Sequence, residues 1–187
     1  ITKLTDAGGP VETGNKIYCI NLSAPFLSQV PPFMAVFKKL FFGEEGHAGL
    51  NDKAFIFGNE TEAATFAECM GWKTEDGKDL TVAQIAEKLH KESKGKPTVV
   101  FTQGADCTIV YGKDGLVEVT VKKIENDLIK DTNGAGDAFV GGFLAVLAGG
   151  ETNVAKCCDA GHYAASQIIQ RSGATVPATN GRDEYVK

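Results

Sequence analysis

The chain has 187 residues, 43% of them apolar, enough to bury a core as one domain over residues 1–187, and a formal charge of −5 that leaves no broad basic face for nucleic acid or anionic lipid. Its apolar runs are too short to span a bilayer and no charged-then-apolar leader opens it, so the expectation is a cytoplasmic protein with no nucleic-acid or membrane partner. Five cysteines without a Cys-x-x-Cys pair predict reduced thiols, and three scattered histidines give no transition-metal spacing, so a metal is expected only as a hard cation carried in with phosphate. The chain opens on Ile1 and reads as part of something longer.

Lys16 to Leu22 reads as a buried strand ending at Asn21–Pro25, where Pro25 enforces a turn. Residues 33–42 are expected to be a densely apolar helix started by Pro31-Pro32, followed by a polar loop from Gly43 to Lys53. Ala54-Phe55-Ile56-Phe57 predicts a buried strand stopping at Gly58. Asn59 then caps a helix to about Met70, and Thr81 caps another to about Ser93. Thr98 to Thr102 is too uniformly apolar for a strand with an exposed face. Cys107–Tyr111 and Leu116–Val121 predict two more strands joined by a hairpin-like turn at Lys113-Asp114-Gly115, and helices follow at 137–148 and from about Glu151 to Arg171. Strands alternating with helices indicate an α/β layered sheet, mainly parallel. Ligands in such sheets gather at the carboxyl ends of strands, and Asn59, Gln103-Gly104 and the glycine-rich turn at 131–137 are each expected just after one.

That turn, Asp131-Thr132-Asn133-Gly134-Ala135-Gly136-Asp137, describes a phosphate cradle. Gly134 and Gly136 tolerate positive φ and can aim successive amides at one point, where a helix begins with unpaired N–H groups and partial positive charge. A carboxylate beside a phosphate is repulsive unless it accepts a proton, so Asp137 is the candidate general base. An Asp in a first helical turn after glycines is also common without any ligand. A dinucleotide fingerprint fits less well, because Phe139 stands where its third glycine belongs and Asp159 falls inside a helical pattern; no Gly-x-x-x-x-Gly-Lys-Ser/Thr loop exists.

Asn59 and Glu62, three apart, can share one ligand, Glu62 holding Mg²⁺ through water and Asn59 bonding a phosphate oxygen. The same spacing is that of a capping box, which stabilises any helix. The small residues of Ala160-Gly161-His162-Tyr163-Ala164-Ala165-Ser166 suit either helix packing or a flat ring, with His162 as a purine-base contact. Gly141-Gly142 implies close approach of backbone or substrate. The adjacent Cys157 and Cys158 are expected to pack, without both facing one core.

The 131–137 string resembles the signature of the ribokinase-like (PfkB) carbohydrate and nucleoside kinases, and Asn59-x-x-Glu62 matches that family's Mg²⁺/phosphate motif. Wider strings, Asn21-Leu22-Ser23-Ala24-Pro25-Phe26, Phe57 to Phe66, Phe101-Thr102-Gln103-Gly104 and 160–166, resemble the branch acting on adenosine; the resemblance covers nearly all of Ile17 to Pro177. It implies a three-layer fold, a mostly parallel sheet with helices on both faces. It further implies phosphorylation of the 5′-hydroxyl of adenosine with ATP, giving AMP and ADP in purine salvage; the sequence does not fix the oligomeric state, a monomer being the expectation at full length. Asp137 would be the base and the amides of Gly134, Ala135 and Gly136 the anion hole. Asn59 and Glu62 would serve Mg·ATP, with Thr102, Gln103, Gly104, Asn133 and His162 around the nucleotide. A monovalent cation such as K⁺ matches Asp131 and the Ser172-Gly173-Ala174 segment.

The chain departs from the family in a lengthened Val30–Ala54 region and in matching only the carboxyl-terminal half. The family's amino-terminal Asp, Gly-Gly segment and β lid, which recognise the nucleoside, have no counterpart; Gly8-Gly9 lies in the wrong place. The piece alone is expected to bind nucleotide weakly and turn over little. Another kinase of the family, acting on a sugar or a different nucleoside, and a non-catalytic nucleotide-binding module are the alternatives.

Overall fold

The computed structural model describes residues 16–44 and 49–173, so Gly8-Gly9, His47 and Ala174 lie outside the described residues. Two compact units emerge, one running to Gly104 and including Thr108–Glu118, the other comprising Ala105–Cys107 and the residues from Val119 onward.

The first unit is built on a five-stranded sheet in the order β1 (Cys19–Asn21), β2 (Phe55–Asn59), β3 (Thr98–Thr102), β4 (Thr108–Gly112) and β5 (Gly115–Val119). β1, β2 and β3 are parallel, which requires crossovers: helices α1 (Pro25–Gln29) and α2 (Pro31–Phe42) connect the first pair, α3 (Glu60–Cys69) and α4 (Val82–Glu92) the second. From β3 to β4 the chain has only residues 103–107, too few for a crossover, and β4 runs antiparallel. The sheet is therefore mixed, its parallel part being the three strands separated by helices.

Helix α1 replaces the simple turn expected at Pro25, because a proline occupies a first helical position as readily as a turn position. Strand β2 also runs further than expected, through Gly58 to Asn59, with Gly58 opposite Phe101 and Asn59 opposite Thr102.

The core follows from the apolar runs. Val99, Val100 and Phe101 are fully buried, and Phe55, Ile56 and Phe57 nearly so, as strands covered on both faces must be. Phe37, Phe41, Phe66 and Trp72 form a chain of ring contacts at 5.5, 5.7 and 5.6 Å between α2, α3 and the residues after α3. Burying each such ring stabilises the fold by roughly 1.5–3 kcal/mol. α4 is closed by a capping box between Thr81 and Gln84, and buried His90 near its end donates from Nδ1 to the Pro97 carbonyl at 2.7 Å.

The second unit is a helix pair, α5 (Ala135–Ala148) and α6 (Val154–Ile169, capped by Asn153). Two glycines set its spacing. A Cβ on Gly142 would lie 2.5 Å from the Ala160 carbonyl oxygen, and one on Gly161 would lie 2.6 Å from the Phe139 ring. The small residues of the 160–166 stretch thus serve helix packing at Gly161, and of the two central glycines of α5 only Gly142 is pressed by a neighbouring backbone; a Cβ on Gly141 meets open space.

Cys157 and Cys158 are both fully buried, as thiols expected to pack should be. Burial pushes the Cys158 thiol up to about 12 and raises that of Cys157, so both are packing groups rather than nucleophiles. The glycine turn does not directly follow a strand as expected: residues 120–134, with a 3-10 turn at Asn126–Leu128, separate β5 from α5.

Candidate active site

In the first unit the candidate residues collect at the carboxyl ends of β2 and β3. Asn59 closes β2 and is the N-cap of α3; its side-chain oxygen accepts the Glu62 amide at 2.9 Å, while Glu62 Oε2 accepts the Asn59 amide at 2.9 Å. The capping box read from the sequence is formed, with Glu62 as a residue only 6% exposed. Thr102, opposite Asn59 on β3, directs its hydroxyl toward the Gly58 carbonyl at 3.5 Å. Gln103 is half-buried beside it, and Gly104, at φ 57°, is exposed with open space where a Cβ would stand. Five candidates, Asn59, Glu62, Thr102, Gln103 and Gly104, therefore lie along two adjacent strand ends.

In the second unit Gly134 is the N-cap of α5 at φ 79°, a conformation that disfavours any side chain with a Cβ. Gly136, expected to share that freedom, is instead an ordinary helical residue; its lack of a side chain leaves open space above the first turn. The Ala135 amide is turned back on the Thr132 carbonyl at 3.2 Å, and the first bond of the helix proper runs from Ala138 to Gly134 at 2.9 Å. Among the described residues the amides of Gly134, Gly136 and Asp137 have no acceptor. Of the three amides expected to form an anion hole, that of Ala135 is already bonded, while those of Gly134 and Gly136, and that of Asp137 beside them, are open among the described residues.

Asp137 sits at the third helical position, exposed, and makes no bond back to its N-cap. An acceptor-only carboxylate held next to three open amides can take a proton from a hydroxyl while the amides hold an anion. Asn133 is exposed and donates its amide to Asp131 Oδ1 at 2.9 Å. The other Asp131 oxygen accepts the Gly173 amide at 3.3 Å, and the Lys130 and Asp131 amides both bond the Ile169 carbonyl, at 2.8 and 3.2 Å. Asp131 and the 172–173 turn are thereby brought together as a clasp on the glycine turn. His162 is half-buried with its ring 5.3 Å from Phe139; burial lowers its pKa, partly opposed by Asp159, and favours the neutral imidazole.

One residue escaped the sequence reading. Gly58, taken as the stop of a strand, lies within β2, and a glycine inside a strand pattern was the available sign of a close approach. Its missing side chain leaves room for the Glu62 carboxylate, 3.3 Å from where a Cβ would stand.

Comparison with known proteins extends these features. The profile of the pfkB family of carbohydrate kinases matches residues 14–180. Adenosine kinase 2 of Arabidopsis thaliana is 43% identical over 168 residues, 87% of this chain and 44% of its own length. The Dictyostelium discoideum adenosine kinase is 40% identical over 175 residues, 91% of this chain and 46% of its own. An adenosine kinase from Schistosoma mansoni, solved in complex with 2-fluoroadenosine, superimposes with TM-score 0.72 at 31% identity over 94% of this chain and 47% of that one. That from Anopheles gambiae, in complex with P1,P4-di(adenosine-5) tetraphosphate, gives TM-score 0.70 at 35% identity over 91% and 48%. The chain spans about half the length of the curated relatives it matches. Its mixed sheet with parallel strands linked by helices is that of ribokinase-like proteins, incomplete relative to them, and the chain belongs to the pfkB family of carbohydrate kinases.

Proposed function

We propose that residues 1–187 supply the ATP-binding part of a kinase that phosphorylates the 5′-hydroxyl of adenosine, giving AMP in purine salvage. The observation that carries this reading is the start of α5, three amides without acceptors among the described residues beside an exposed, uncapped carboxylate, in a chain of a kinase family. The adenosine acceptor rests on the adenosine kinases among its relatives and on the adenosine-type ligands of its structural neighbours.

Asp137 takes the proton of the attacking hydroxyl, and the amides of Gly134, Gly136 and Asp137 stabilise the charge on the transferring phosphoryl group. Base assistance of this kind contributes about 10²–10⁴ in rate, and the oriented amides usually more. Asn59 and Glu62 serve Mg·ATP from their strand end, with Thr102, Gln103, Gly104, Asn133 and His162 around the nucleotide. A single buried carboxylate suits an ion that keeps most of its water and arrives on phosphate, the habit of Mg²⁺. Once bound, that ion offsets phosphoryl charge. Asp131, besides clasping the glycine turn, is the candidate ligand for K⁺. The protein works as a cytoplasmic monomer.

Losing substrate positioning can remove several kcal/mol of barrier reduction even where base and anion hole persist, so this chain alone turns over slowly. Coupled ADP release with adenosine, other nucleosides and sugars as acceptors, in a full-length kinase carrying this sequence, tests the reading. Preference for adenosine supports it, and preference for a sugar overturns the acceptor assignment.

A further inference from the structure

We propose that Gly58 is a positioning residue for Glu62, its absent side chain forming the seat that holds the carboxylate in the α3 capping box and presents it to Mg·ATP. The inference rests on the proposed role of Glu62. Gly58 is not among the positive-φ glycines, so its backbone admits alanine, and what excludes a side chain is space. A Cβ there would meet Leu22 Cδ1 and Phe101 Cε1 at 3.2 Å each and Glu62 Oε2 at 3.3 Å, all tighter than ordinary van der Waals contact. Leu22 and Phe101 are fully buried and close-packed, with nowhere to retreat. Glu62 lies on the first turn of a helix and has slight solvent exposure, so it is the neighbour that yields. When it does, the bond from the Asn59 amide to Oε2 is lost. The same glycine accepts the Thr102 hydroxyl through its carbonyl, so one residue without a side chain adjoins candidates on both strand ends.

The test compares the wild-type chain with Gly58→Ala and Glu62→Gln, reading amide hydrogen exchange and the affinity for ADP with and without Mg²⁺. In Gly58→Ala the Asn59 amide should exchange about tenfold faster relative to the amides of α4, which report general destabilisation. The gain in ADP affinity on adding Mg²⁺ should shrink several-fold, toward its value in Glu62→Gln. If Glu62→Gln keeps the full Mg²⁺ gain, Glu62 does not serve the metal, and both the site reading and this proposal fall. If Glu62→Gln loses the gain while Gly58→Ala keeps it, or if exchange merely accelerates everywhere, Gly58 is a structural glycine and this proposal alone is overturned. Should Gly58→Ala not fold, the same measurements on Gly58→Ala with Leu22→Val, which clears one of the three contacts, decide; failure of both to fold also overturns it.

Discussion

Helices α3 and α5 each begin after a residue of the signature strings and each carry an acid at the third helical position, Glu62 in one and Asp137 in the other. In α3 the N-cap is asparagine, the acid bonds back to it, and the carboxylate is buried. In α5 the N-cap is glycine in the left-handed region, there is no cap bond, and the acid stands in solvent with open amides beside it. A helix start that leaves its amides unsatisfied and its acid unpaired forgoes the roughly 0.5–2 kcal/mol that a cap supplies. The contrast teaches that α3 is held by its own acid whereas α5 forgoes that bond, so removing the Glu62 carboxylate should cost stability that removing the Asp137 charge does not.

Asp137→Asn gives the largest effect, a fall in turnover of about 10²–10⁴ in a full-length kinase carrying this sequence, with ATP affinity and melting temperature nearly unchanged. Wild-type turnover would reduce Asp137 to helix punctuation and erase the contrast. Glu62→Ala should, besides weakening the response to Mg²⁺, cost about 1–3 kcal/mol in urea unfolding of the 187-residue chain as the reciprocal cap and a buried hydrogen bond are lost. No change in midpoint there would mean that α3 is not held by its own acid. Gly134→Ala, forced to keep φ 79°, should cost about 1–2 kcal/mol and weaken phosphate binding together.

The smallest effect concerns pH. Burial holds the pKa of folded His162 below the ordinary histidine value of 6.5, so the unfolded chain binds more protons as pH falls through that window. Its contribution to stability is present above about pH 6.5 and is lost as pH drops from there toward the lowered folded value. Melting temperatures of wild type and His162→Gln should therefore converge on acidification; a constant gap would show that folding leaves the affinity of His162 for its proton unchanged.

Much of this was legible in the residues. Apolar runs with polar caps marked β2, β3, α3 and α4 to within a residue or two, because burial on both faces and capping are local requirements. The Asn59 and Asp137 strings pointed to helix starts for the same reason. What escaped depends on partners distant in sequence. The direction of β4 was implicit in the short 103–107 link but was lost in the general alternation of strands and helices. Gly58 matters because of Leu22 and Phe101, which no local pattern names. Gly136 looked like a turn residue because glycine permits that conformation, yet Gly134 alone makes the bend.

The most direct test is an amide spectrum of the 187-residue chain titrated with Mg·ADP and with inorganic phosphate. The amides of Gly134, Gly136 and Asp137 should shift first and furthest with either ligand, while that of Ala135, already bonded to Thr132, should move less. Saturable binding that leaves those three amides unmoved would contradict the proposed anion hole.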